Sequence, residues 1–302
     1  MTDILLRLHR PVNRERTLAA MLLLPTLIIV GTMVVVPLVY AFWLSLHDVQ
    51  ASPRAERPFV GFANYIAILA SPAFQHALWN TAYFTVVSLV VQVPVGLAIA
   101  ILLDQKFPGR GIVRAMILIP WALPTIVNGA LWQWIYNPSY GALNGLLRQL
   151  GLIHEPVLWL GSPIAAMNAV IVADTWKILP FYAVMFLAGL QTIPRELFDA
   201  STVDGATPLD KLRYVIIPLL KPFFLVVLVL RTTEMFRAFD LIYMLTSGGP
   251  AGGTTVVAYY AYQVTFQSLR FGYGSAVSFI IGAVGLAFAL IYVRVIRAGE
   301  IR

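Results

Sequence analysis

The sequence predicts an all-α, polytopic membrane protein with six transmembrane helices and one polar, structured loop between the fourth and the fifth. Three observations carry this. Hydrophobic residues make up 59% of the chain and charged residues only 12%, against about 45–50% and 25% in soluble domains. The mean hydropathy is +0.80. Too few charges are present to cover a soluble surface, and the apolar residues fall into six segments long enough to cross a bilayer, which takes about 20 residues per helix.

The segments run at about 18–46, 78–103, 113–136, 164–189, 216–245 and 273–296. The first is too long for the apolar core of a cleavable signal, and no small-residue cleavage site follows it, so it reads as a retained span. This divides the chain into an N-terminal segment (1–17), a six-span body (18–297) and a short tail (298–302). Pro25, Pro37, Pro94, Pro120, Pro124 and Pro180 lie within the spans. Each frees a backbone carbonyl and bends its helix. Neighbouring helices or a wet cavity must then satisfy the freed groups. Pro138-Ser139-Tyr140-Gly141 and Ser247-Gly248-Gly249-Pro250 read as turns in outside loops.

Direction follows from Lys and Arg. With the N-terminus in the cytoplasm, inside segments hold Arg7, Arg10, Arg14, Arg16, Lys106, Arg110, Arg114, Arg195, Lys211, Arg213, Lys221, Arg294, Arg297 and Arg302. Outside segments hold Arg54, Arg57, Arg148 and Arg270. Both termini and the 193–222 loop are thereby expected in the cytoplasm. Membrane topology also accounts for the net charge of +7 without nucleic acid.

The 193–222 loop parses as two short helices joined at a glycine. Thr192 is placed to cap the first, with Pro194 in its first turn. Glu196 and Asp199 sit near its positive end. Leu197, Ala200 and Val203 recur on one face with Phe198 beside it. Gly205 is placed to end this helix in a left-handed conformation. Thr207-Pro208-Leu209-Asp210 has capping-box spacing for the second helix, and Pro218 and Pro222 close it. Such a loop fits a helix that inserts into a partner's groove, or equally an amphipathic helix lying on the membrane surface.

The pattern of this loop resembles the "EAA" loop of binding-protein-dependent ABC importer permeases. The matching positions are Asp199-Ala200-Ser201, Asp204-Gly205-Ala206 and Ile216-Ile217-Pro218. Asp199 stands where the family usually has Glu, and Ser201 where it has Ala. The likeness extends from about 18 to 297. Ile119-Pro120-Trp121-Ala122-Leu123-Pro124, Asn137-Pro138 with Gly141, Trp176-Lys177 with Pro180-Phe181, Ala188-Gly189-Leu190-Gln191 and the run Phe236 to Pro250 look like carbohydrate-uptake permeases. That run is similar to the first of the two permease types in maltose-type importers. The large extracytoplasmic insert of the enteric maltose permease is missing. The resemblance implies an inner-membrane permease in a bacterial plasma membrane, paired with a second, related permease. It also implies two cytoplasmic ATPase subunits, which carry ATP and Mg, and an extracytoplasmic solute-binding protein. Glu196, Leu197, Asp199, Ala200, Ser201, Asp204, Gly205 and Ala206 would form the coupling-helix loop that docks on the ATPase. The solute implied is a sugar, a small oligosaccharide or a glycosylated polyol.

Charges inside the spans mark a candidate path. Charged groups at the membrane centre cost several kcal/mol unless paired or wet. Arg231, Glu234, Arg237 and Asp240 alternate in sign at three-residue steps and read as a self-neutralising ladder on the fifth helix. Asp174 and Lys177 read as a similar pair on the fourth. These six either line the path or form ion pairs that fix helix packing. Their charges sum to zero, which gives no reason to expect an anionic solute. Trp121, Trp132, Trp134, Trp176 and Phe239 either stack on sugar faces or anchor the membrane interface.

Other chemistries find no support. No GxxxxGK[ST] phosphate loop is present, so ATP is expected on partner subunits. His9, His47, His76 and His154 form no HExxH, and the absence of cysteine leaves no thiolate metal site. The rival reading is a proton-coupled secondary carrier that relays protons through Asp174, Glu234 or Asp240. Such a carrier has no need of an ATPase dock.

Overall fold

The computed structural model of the chain describes residues 12–51 and 57–300. Among the described residues it is a helical bundle, and extended pairing is limited to isolated bridges such as His47 with Phe59. Among the described residues, four helices are long and apolar enough to span a membrane unbroken, and two bent helix pairs bring the candidate spans to as many as six.

The first span joins α1 (Val12–Val30) to α2 (Val36–Ser45) through a π-helical turn, Gly31–Val35. That turn ends two residues before Pro37, which has no N–H to give to a regular α ladder. A short helix, α3 (Ala63–Ala70), leads to α4 (Pro72–Asp104). Ser71 caps α4, its hydroxyl accepting from the Phe74 N–H at 3.5 Å, and Pro72 fills the first turn. The 33 residues of α4 reach about 50 Å at 1.5 Å per residue, so the helix projects beyond the ~30 Å hydrocarbon layer. The expected start at 78 falls within α4, because polar Gln75 and His76 lower the hydropathy without breaking the helix.

The third span is not one straight helix. α5 (Arg110–Ile117) and α6 (Ile119–Ala122) meet α7 (Thr125–Ile135) at a 94° bend. Pro124 explains it. The residue before a proline is pushed out of the helical region, and Leu123 is extended at φ −73°, ψ 137°. α8 (Ala142–Gln149) then leads to α9 (Pro163–Leu190), the fourth span.

After α9 come α10 (Arg195–Val203), α11 (Pro208–Lys211), a π-helical turn Leu212–Ile216, α12 (Ile217–Leu219) and α13 (Lys221–Phe236). The chain bends by 68° between Leu219 and Lys221. The expected fifth span, 216–245, is therefore corrected at both ends. Its first residues belong to the loop helices. The spanning helix stops at Phe236, and α14 (Asp240–Leu245) starts anew. α15 (Val257–Tyr262), a π-helical turn Gln263–Gln267 and α16 (Phe271–Glu300) complete the described residues.

The core forms where α4 packs along α9. A Cβ on Gly96 would collide with Tyr182, so only glycine permits this approach. Asn80, Thr81, Thr85, Ser88 and Gln92 lie buried along α4, spaced to share one face. Two of them anchor the glycine-rich loop after α14. The Asn80 amide donates to the carbonyls of Gly252 and Thr255, each at 3.0 Å, and the Val257 N–H donates to the Thr81 hydroxyl at 2.9 Å. That loop contains a cis Gly249–Pro250 bond. The turn expected at 247–250 is thus held firmly on the body of the bundle.

Candidate translocation cavity and coupling loop

The loop expected to dock a partner has the two-helix form read from the sequence. Helix α10 ends in a Schellman motif. Gly205 takes φ +77°, its N–H donates to the Thr202 carbonyl at 3.1 Å, and the Ala206 N–H donates to the Ser201 carbonyl at 2.9 Å. Thr207 and Asp210 form a reciprocal capping box on α11. The Thr207 N–H donates to Asp210 Oδ2 at 2.9 Å, and the Thr207 hydroxyl does so at 2.5 Å. These bonds, hydroxyl first, hold the Asp210 carboxyl below its ordinary range. Lys211 Nζ donates to the Thr202 hydroxyl at 2.7 Å and clips the two helices together.

One expectation fails here. Thr192 does not cap α10. Its hydroxyl donates back to the Gly189 carbonyl at 2.7 Å, at the end of α9, and Pro194 holds the cap position without a side-chain bond. With a proline next to it, the cap is set by the fixed proline backbone instead of a hydroxyl.

Phe198 packs into the apolar core near Leu187, Leu190 and Ile216. The opposite side of α10 faces outward. Glu196, Leu197, Asp199, Ala200, Val203, Asp204 and Gly205 are exposed, while Ser201 and Ala206 are half-buried. Val203 is 88% exposed and, with Leu197 and Ala200, lies on the outward side. The helix is therefore rooted by one aromatic residue and offers a small apolar face.

The charged residues of the spans converge on one cavity of about 460 Å³. Its lining includes Asp174 and Lys177 from α9, Arg231 and Glu234 from α13, and Arg237, Phe239 and Asp240 from the break and α14. Trp121 and Thr125 flank the bend of the third span and close another side. An adjoining hollow of about 330 Å³ shares Trp121, Ile178, Glu234 and Arg237. Trp176 does not line the cavity. It sits edge-on to Trp132, with ring centres 6.0 Å apart, and Trp132 packs on Tyr136. Trp134 is 71% exposed, as an interface anchor would be.

The charge ladder is corrected by this geometry. Because α13 stops at Phe236, Arg237 and Asp240 leave the helical face that carries Arg231 and Glu234. Arg231 is 5% exposed. It donates from Nη1 to Glu234 Oε2 at 2.7 Å and from Nη2 to Asp174 Oδ2 at 2.6 Å. Asp174 therefore pairs across helices with Arg231, not with Lys177 beside it. Among the described residues, Lys177, Arg237 and Asp240 form no ion pair. They face the cavity with their hydrogen-bonding capacity free for a solute or water.

Sequence reading missed the residues that set this cluster. Gln92 on α4 is fully buried. Its amide donates to Asp174 Oδ2 at 2.8 Å and to the Thr175 hydroxyl at 3.2 Å, and its carbonyl oxygen accepts from the Tyr182 hydroxyl at 3.1 Å. The signal was available, since a glutamine in an apolar span needs a partner.

Comparison with known proteins gives this architecture its family. Residues 92–298 match the family described as binding-protein-dependent transport system inner membrane component. The chain belongs to this permease family. The trehalose/maltose transport system permease protein MalF of Thermococcus litoralis is 41% identical over 285 residues, covering 94% of this chain and 95% of that one. The sulfoquinovosyl glycerol transport system permease protein SmoG of Agrobacterium fabrum is 36% identical, covering 95% and 92%. The crystal structure of a bacterial ABC transporter involved in import of the acidic polysaccharide alginate contains a chain that superposes with a TM-score of 0.80. That chain is 25% identical, and the match covers 97% of this chain and 99% of that one. This permease is thus a membrane subunit of a sugar ABC importer, with ATP hydrolysis on a separate subunit. The proton-coupled carrier reading falls with that membership.

Proposed function

We propose that this permease moves a small neutral glycoside through the cavity bounded by Asp174, Lys177, Arg231, Glu234, Arg237, Phe239 and Asp240. The convergence of these residues on one charge-balanced hollow carries the reading. Phe239 and Trp121 offer flat apolar faces to a sugar ring. Lys177, Arg237 and Asp240 offer donors and acceptors to its hydroxyls. Trp176 packs edge-on to Trp132, and neither lines the cavity, so Trp176 takes no part in the path. Trehalose and maltose, the solutes in one relative's name, are neutral disaccharides and support the class.

In this reading the working importer pairs the permease with a second, related one. Two ATPases bind ATP and Mg²⁺ and dock on the exposed face of α10. A solute-binding protein delivers the sugar from the other side. Both termini and the 193–222 loop lie in the cytoplasm, supported by the skew of Lys and Arg. ATP binding closes the ATPases, and α10 passes that motion through Phe198 to the ends of α9 and α13.

Proteoliposomes holding the assembled importer test this. Uptake of a disaccharide bound by the cognate binding protein is expected to stop without ATP and to continue when an ionophore collapses the proton gradient. Uptake that collapses with the gradient at full ATP would overturn the reading.

A further inference from the structure

The corner where α4 ends and α5 begins holds a groove the transport reading does not use. It encloses about 420 Å³ and is lined by Ile99, Leu102, Leu103, Phe107, Val113 and Ile117, with Gln105 as its polar member. Arg110, Val113, Arg114 and Ile117 recur at i, i+3, i+4 and i+7, which places them on one face of α5. Two of these four line the groove, and the other two are cations. Arg114 is half-buried. Its Nη2 donates to the carbonyl of Leu103, itself a lining residue, at 2.6 Å, while its Nε is buried with no partner. Arg110, one turn earlier, is exposed, and among the described residues neither cation has an ion pair. Asp104, the nearest acid in sequence, lines a separate cleft beside α10 together with Lys106. The groove lies at the end of a membrane-spanning helix, where hydrocarbon meets water, and two arginines share the α5 face of its lining residues Val113 and Ile117.

We infer that this corner is a binding site for an anionic phospholipid. The acyl chain fills the groove between α4 and α5, and the phosphate meets Arg110 and Arg114. Charge complementarity selects the occupant. An apolar groove alone accepts any lipid tail, but two guanidinium groups on the same α5 face favour a headgroup of net negative charge. The bound lipid would brace the broken third span against α4.

Native mass spectrometry of the assembled importer tests this with phosphatidylglycerol and phosphatidylcholine of matched chains. Wild-type protein is expected to retain phosphatidylglycerol preferentially. Arg110→Gln should weaken that retention about fivefold, from roughly 1 kcal/mol per basic residue at the headgroup. Arg110→Lys should keep most of it. Val113→Trp, which fills the groove and keeps both cations, should lose both lipids. Equal retention of the two lipids by wild type would overturn the inference. So would a phosphatidylglycerol preference that survives Arg110→Gln, or lipid retention unchanged by Val113→Trp. These readouts do not depend on the sugar carried, so a failed uptake reading leaves them intact.

Discussion

Arg231→Met is expected to be the most damaging single substitution in the permease. The guanidinium is 5% exposed and bonds Asp174 and Glu234 at 2.6 and 2.7 Å. Removing it strands two carboxylates, one of them, Asp174, only 16% exposed. Breaking a buried pair from one side costs about 3–5 kcal/mol, because the remaining charge has lost its solvent and its partner. Asp174 also joins Arg231 of α13 to Gln92 of α4, with Tyr182 of α9 bonded to the same Gln92, so three helices lose a shared anchor together. Glu234 matters less, since its side chain is 56% exposed and reaches the cavity. The double variant Arg231→Met with Asp174→Asn should therefore recover much of the loss. Contacting partners couple by about 0.5–3 kcal/mol in such cycles. Thermal unfolding of purified protein reads the effect. Additive losses in the double variant would show that the pair does not hold the helices together.

Gly205→Pro is expected to abolish transport-coupled ATP hydrolysis while leaving the spans assembled. Gly205 sits at φ +77°, and proline is fixed near −65°. Proline also removes the N–H that donates to the Thr202 carbonyl. The end of α10 must then change, and with it the angle between α10 and the α11 capping box. Nothing within 4 Å would meet a side chain at this position, so backbone conformation alone is at stake. Gly205→Asn separates the two effects, because asparagine visits the left-handed region far more readily than most residues. Stimulated ATPase activity should fall to the basal level in Gly205→Pro and survive in Gly205→Asn. Full stimulation in a well-assembled Gly205→Pro complex would remove the loop from the coupling route.

Local signals in the sequence proved legible, and non-local ones did not. The spans follow from apolar length. The joint at Gly205 and the box at Thr207 and Asp210 follow from residue chemistry over four positions. The break after Phe236 leaves no such mark, because RTTEMFRAFD contains no proline or glycine and its charges suit a continuous helix. Beyond the break, Leu241, Ile242 and Leu245 join the core around Phe84 and Val170, contacts that sequence spacing does not reveal. The partner of Arg231 was hidden for a similar reason. Asp174 lies 57 residues away, and sequence spacing favoured the neighbour Lys177. Helix α10 shows the opposite case, where a strong local signal at Thr192 yielded to the fixed geometry of Pro194.

The proposed solute path runs through the cavity beside Arg231. Ala238→Cys tests it most directly, because the chain contains no cysteine and Ala238 is a small residue in the cavity lining. In the assembled importer, a water-soluble thiol reagent should label this position, at a rate that changes with the nucleotide bound. The transported sugar should protect it. Labelling that ignores both sugar and nucleotide, in an importer that still transports, would place the solute path elsewhere.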